Sequence, residues 1–228
     1  YKFDQCNDNG KIPWYETSAY SSDATLQSKM NTISSAYSEL SKSKSEYVNF
    51  YMNNHEQIPT WIMIKVVNFS TFINVLRNSK TNVTHAICKL YSMYDENNLP
   101  NVKLLIGSLH WLRRVRNSCA HNERVYCIHQ TQARNNTASG RILDPYYEQL
   151  PRAYSRCTEK NIFDILIYFK YFLPKGEFTQ MITEIKNMLT ELQSALHPNA
   201  FANVRGQMGI RDLSILDTLI SLPKAKIE

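Results

Sequence analysis

The feature that most constrains this chain is the recurrence of apolar residues at three- and four-residue steps, segment after segment, with Pro, Gly and Asn clusters between them. An α-helix brings such residues onto one face, whereas a strand needs strict alternation. Leu26, Met30, Ile33, Tyr37 and Leu40 form the first stripe, behind Ser22 or Asp23 as a cap, and the spacing predicts a helix reaching about Met52 with that stripe inward. After Pro59, Trp61, Ile64, Val67, Phe69, Phe72, Ile73 and Leu76 keep the helical period and predict a second, largely buried helix. A third is expected over 83–94, closed by Asp95-Glu96-Asn97-Asn98 before Pro100, and a fourth over 102–122. Two more follow at 162–173 and 177–196, parted by Pro174-Lys175-Gly176, and a short one at 212–220. Neither alternation nor a fixed-period repeat occurs, so the fold class is all-α, a helical bundle. Residues 1–22 read as an irregular lead-in, 23–222 as the helical domain and 223–228 as a tail. Within the domain, 131–160 reads as a loop, with Asn135-Asn136-Thr137, Ser139-Gly140, Pro145 and Pro151.

Composition removes several function classes. Apolar residues make up 43% and charged ones 20% of the 228, which places the chain with folded proteins rather than disordered ones. Its apolar runs are too short to span a bilayer, which takes about 18 or more residues, so no membrane partner is expected. The five cysteines are scattered without a CxxC pair, which fits reduced thiols and a cytoplasmic location. Position 1 is Tyr and no secretion signal opens the chain, so we read it as a piece of a longer protein. A net charge of +6 favours polyanionic partners, because each cation that neutralises a phosphate releases counterions.

The fourth helix carries the chemistry. Leu105, Ser108, Leu109, Leu112 and Cys119 fall on one side, the expected core face. Arg113, Asn117, His121 and Arg124, spaced by four, four and three, form a polar stripe beside it, and Arg116 lies at the seam. Histidine titrates near neutrality and can move the proton of a 2′-hydroxyl or of a leaving oxygen. Arginine can stabilise charge building on the phosphorus. This pairing needs no metal, and no carboxylate cluster, HExxH or glycine-rich phosphate cradle accompanies it. Spacing alone does not choose the pair, since Arg114 and Arg116 both precede His121 at a suitable interval and Arg124 precedes His129.

The stretch Arg116-Asn117-Ser118-Cys119-Ala120-His121-Asn122-Glu123-Arg124-Val125-Tyr126 resembles the signature of the Abi-like abortive-infection family, AbiD/AbiF type, of the HEPN superfamily. Pro59-Thr60-Trp61, Asn68-Phe69-Ser70-Thr71-Phe72 and Met208-Gly209-Ile210 are similar to the family's flanking motifs, and the resemblance covers roughly residues 45–215. Ser70-Thr71-Phe72 departs from the family's glycine pattern, and the family's usual first helical segment is missing, as if this were the C-terminal two-thirds. The resemblance implies a HEPN-type bundle acting as a metal-independent endoribonuclease in phage defence, cofactor-free and usually dimeric. It assigns Arg116 to phosphate stabilisation, Asn117 to the polar position after it, and His121 to proton transfer. Arg113, Arg114 and Arg124 are then expected to bind RNA.

Two other readings fit the same residues: an RNA-binding protein that holds a small structured RNA without cutting it, and a helical scaffold in which Arg116 and His121 knit a dimer. His110 reads as a packed structural residue and Cys119 as a small core residue. Lys42, Lys44, Lys170, Lys175, Lys186, Arg152 and Arg156 are candidates for a wider phosphate track.

Overall fold

The computed structural model describes residues 1–128, 130–131, 150 and 159–224, and it is all-α. Eleven helices occur among the described residues: α1 Lys2–Gln5, α2 Leu26–Ser41, α3 Glu46–Asn54, α4 Thr60–Val66, α5 Phe69–Asn78, α6 Thr81–Leu90, α7 Val102–Ala120, α8 Ile162–Phe172, α9 Lys175–Ala195, α10 Pro198–Gln207 and α11 Ser214–Ser221. Extended pairing among them is a two-residue antiparallel ladder of β1, Gln130–Thr131, with β2, Glu159–Lys160. The rest of the expected 131–160 loop, with Arg152 and Arg156, lies outside the described residues, as does His129. The chain divides into two compact units, Tyr1–Leu90 and Tyr91–Glu228.

In the first unit, helix ends follow from local side-chain chemistry. Thr25 caps α2, its hydroxyl accepting the Ser28 N–H at 3.2 Å. The helix stops at Ser41 rather than running to Met52. Beyond it the Ser43 hydroxyl accepts the Ser45 N–H at 3.3 Å, one of the local bonds by which serine competes with a helical ladder. The segment after Pro59 is likewise two helices. Asn68 ends the first phase and starts the second, its Oδ1 accepting the N–H groups of Ser70 at 2.8 Å and Thr71 at 3.0 Å. Glu39 of α2 holds that cap, accepting from the Asn68 side chain and the Thr71 hydroxyl at 2.6 Å each.

Two expectations about facing are overturned in this unit. On α2, Leu26, Met30 and Tyr37 are exposed, while Thr32, Ala36 and Leu40 are buried. Small residues on that face let α2 lie close to α5. Asn78 of α5 locks the contact by donating to Thr32 Oγ1 at 2.9 Å and accepting from Ser28 Oγ at 3.1 Å. On α4, Trp61 and Ile64 are exposed and Ile62 and Met63 buried, because the break at Val67–Asn68 resets the helical phase assumed across it. The opening residues, read as an irregular lead-in, carry the short helix α1, and Phe3, Trp14, Ala19 and Tyr20 join the core. The Trp14 indole N–H donates to the Ile58 carbonyl at 2.8 Å, so the aromatic ring is buried with its polar atom satisfied.

In the second unit, Asn101 starts α7 by accepting the Leu104 N–H at 2.9 Å. The helix buries Leu104, Leu105, Ser108, Leu109, Trp111 and Ser118. Helix α8 opens with a capping box: Asn161 Oδ1 accepts the Phe163 N–H at 3.0 Å and Asp164 accepts the Asn161 N–H at 2.7 Å. The Asn161 carbonyl takes the Trp111 indole N–H at 3.2 Å, which fixes α8 to α7. Gly209 closes this arrangement. Its φ is +79°, and a Cβ there would come within 2.2 Å of the Asn161 side chain, so both conformation and space demand glycine. Next to it, the Met208 carbonyl accepts the Phe163 N–H at 3.0 Å. Lys170, a candidate for a surface phosphate track, is 7% exposed instead. Its ammonium donates to the Leu219 carbonyl at the end of α11 and lies 5.1 Å from the Phe178 ring centre. Helix α10, opened by Pro198, has no counterpart in the sequence reading.

A candidate nucleic-acid cavity along helix α7

The end of α7 is built by backbone geometry. The Asn122 φ is +54°, the left-handed conformation that asparagine tolerates best after glycine. Its N–H reaches the Cys119 carbonyl at 3.1 Å and the Glu123 N–H reaches Ser118 at 2.9 Å, the two bonds of a Schellman stop. His121 is the residue this stop holds in place, with its N–H on the Asn117 carbonyl at 2.9 Å. Its side chain is exposed.

A cavity of about 650 Å³ runs along this helix, lined by Gly107, His110, Trp111, Arg113, Arg114, Asn117, Ser118, His121 and Glu123. That volume lies in the range of about 300–1,000 Å³ typical of ligand sites. Arg113, Asn117 and His121, three of the four residues of the expected stripe, therefore line one cavity, together with Arg114, which the stripe did not include. Arg114 is exposed with its guanidinium 5.4 Å from the Trp111 ring centre, a cation–π contact that orients it. Arg113 is half-buried.

Arg116 and Arg124 are not in the lining. Five helical steps lead from Arg116 to His121, a rotation of about 140°, so the two leave the helix on different sides. The Arg116 guanidinium bends back to donate to Asn117 Oδ1 at 3.2 Å, which ties it to the edge of the cavity. Arg124 is exposed beyond the helix, where its carbonyl accepts from the Cys127 thiol at 3.1 Å.

Sequence reasoning missed His110, Gly107 and Glu123. The signal was there: His110, Arg114, Asn117 and His121 step by four, three and four, a single helical face. His110 is half-buried and contributes to the lining. Cys119, expected in the core, is exposed. By angle it belongs with the core residues, but residues 119–124 are all exposed, since this last turn extends past the residues that cover the rest of the helix. Among the described residues no group of three His, Cys, Asp or Glu side chains is gathered as a metal ion would need.

A helix face that brings arginine and histidine side chains to the wall of a cavity is equipped to hold an anionic ligand. The chain belongs to the Abi-like protein family, which it matches over residues 2–127, just over half its length. That match includes Pro59-Thr60-Trp61, Asn68–Phe72 and the whole Arg116–Tyr126 stretch, and it ends before Met208-Gly209-Ile210. No curated protein and no solved structure matches the chain. No helix among the described residues is long and apolar enough to cross a membrane.

Proposed function

We propose that this chain is a HEPN-type, metal-independent endoribonuclease of an abortive-infection system, cutting single-stranded RNA. The observation that carries the reading is the α7 cavity, which brings His121 and Asn117 together with Arg113 and Arg114. Membership of the Abi-like family supports the abortive-infection role. In the reaction the 2′-oxygen attacks the adjacent phosphorus as a base removes its proton. The bond to the 5′-oxygen breaks, and an acid returns a proton to that oxygen, leaving a 2′,3′-cyclic phosphate and a 5′-hydroxyl. His121 supplies one of the proton transfers, and an arginine stabilises the charge on the phosphorane.

One histidine beside an arginine that turns away is half of such a site. We therefore propose a symmetric homodimer in which Arg116 of one protomer serves the cavity of the other. Complementation tests this. His121→Ala and Arg116→Ala chains should each lose about 10²-fold or more in kcat. Unfolded and refolded together in equal amounts, they should recover about a quarter of the wild-type rate, because half the dimers are mixed and each has one intact site. Cleavage should survive EDTA and spare DNA of the same sequence. If the mixture stays inactive, Arg116 does not act across the dimer. If the wild-type chain binds single-stranded RNA tightly and cuts none of it, the chain is an RNA-binding module, which the same cavity serves equally well.

A further inference from the structure

We infer that His110 and Arg114 form a second phosphate subsite in the His121 cavity, so that its ligand is an RNA strand several nucleotides long lying along α7. The inference rests on the RNA reading of that cavity and adds the length and direction of the ligand. A single reacting phosphate needs a compact cluster of donors, all within a few ångströms of one phosphorus. This lining is instead a row: 107, 110, 114, 117 and 121 occupy one face of the helix. At about 1.5 Å of rise per residue, His110 and His121 are about 16 Å apart along the axis, too far to act on one phosphorus.

His110 and Arg114 are four residues apart, about 6 Å along the axis, so they can share a different phosphate from the one beside His121. Contact with the Trp111 ring holds the guanidinium of Arg114, which lines the cavity. Gly107 ends the row. A glycine inside a helix costs about 1 kcal/mol relative to alanine, and this one lines the cavity at that end. A stacked strand advances about 3.4 Å per nucleotide, so the stretch from His110 to His121 spans about five nucleotides. Among the described residues the lining carries two arginines, Arg113 and Arg114, and one glutamate, Glu123.

Binding of 2′-O-methyl oligouridines of two, four, six and eight nucleotides to the full chain tests this, by fluorescence anisotropy at low salt. These strands lack the nucleophilic hydroxyl, so affinity is read apart from cleavage. Affinity should climb about tenfold or more from two to six nucleotides and then level off. In His110→Gln and Arg114→Gln that climb should shrink to about threefold or less. Arg114→Gln should also flatten the salt dependence by about 0.7 in log–log slope, while Arg114→Lys should keep the wild-type slope. Thermal melts confirm that each variant is folded. A length dependence unchanged in both glutamine variants, or an affinity already level at two nucleotides, overturns the second subsite and leaves the RNA reading intact. If no strand binds the wild-type chain at any length, the RNA reading falls, and this inference with it.

Discussion

Helices α2 and α7 distribute their bulk in opposite ways. Helix α2 buries Thr32, Ala36 and Leu40 and leaves Leu26 and Met30 in water, so close backbone approach and the Asn78 interlock hold it. Helix α7 buries Leu104, Leu105, Leu109 and Trp111, and its opposite face carries His110, Arg114, Asn117 and His121. The difference shows what a charged row requires. A helix fixed by large residues on one side can carry a basic row on the other, whereas a helix held by small residues has little burial to set against repulsion within such a row.

The comparison can be tested from its strongest term downwards. Trp111→Ala removes the largest side chain anchoring α7 together with its bond to Asn161, and should cost about 3–5 kcal/mol in urea unfolding with loss of RNA affinity. A loss under about 1 kcal/mol would mean that the row does not depend on this anchor. Gly209→Ala forces a Cβ onto the Asn161 side chain at positive φ and should cost about 2–4 kcal/mol, with little relief from Asn161→Ala because the φ strain remains. In the first unit, Ala36→Leu should cost about 1–3 kcal/mol by prising α2 from α5. Leu26→Ala on the same helix should stay within about 0.5 kcal/mol. If those two results were exchanged, the facing of α2 described above would be wrong.

Helix α7 keeps its cations near water, whereas α8 buries one. Burial lowers the Lys170 pKa from 10.5 to about 8, with Lys175 and Lys224 adding repulsion. Below about 8 the amine is charged in both folded and unfolded chains, so its burial cost is constant. Between about 8 and 10.5 the folded state has released a proton that the unfolded chain still holds, so this group makes stability rise with pH. Wild type should therefore gain on the order of 1–2 kcal/mol relative to Lys170→Met across that range in paired urea titrations. A flat difference would show that the ammonium is not desolvated as its burial implies.

Periodicity made the all-α class legible, and the bounds of α7 and α8 followed because the first is an uninterrupted amphipathic run and the second an uninterrupted, mostly apolar one, each with an asparagine at its start. It misplaced the faces of α2 and α4, where hydrophobicity alone ranks Leu26 and Trp61 above Ala36 and Ile62. What decides those faces is how closely a neighbouring backbone can approach, and that is not written in one helix. Within the site, the side chains gathered around His121 were partly legible. Adding Arg114 and His110 to the row needed only the four–three–four step to be followed one turn further back. Arg116 was singled out from its neighbours in sequence, and its rotation of about 140° from His121 shows why adjacency in a motif differs from adjacency on a helix.

The short β1–β2 ladder bears on how this protein can change over time. It clamps residues 131 and 159 together, and β2 runs directly into Asn161, on which Trp111 of α7 rests. The ladder thus holds together the two ends of the segment between the strands. Doubling the length of such a loop adds only about 0.6 kcal/mol of closure entropy. By closure entropy alone, a change of length between the strands is therefore cheap.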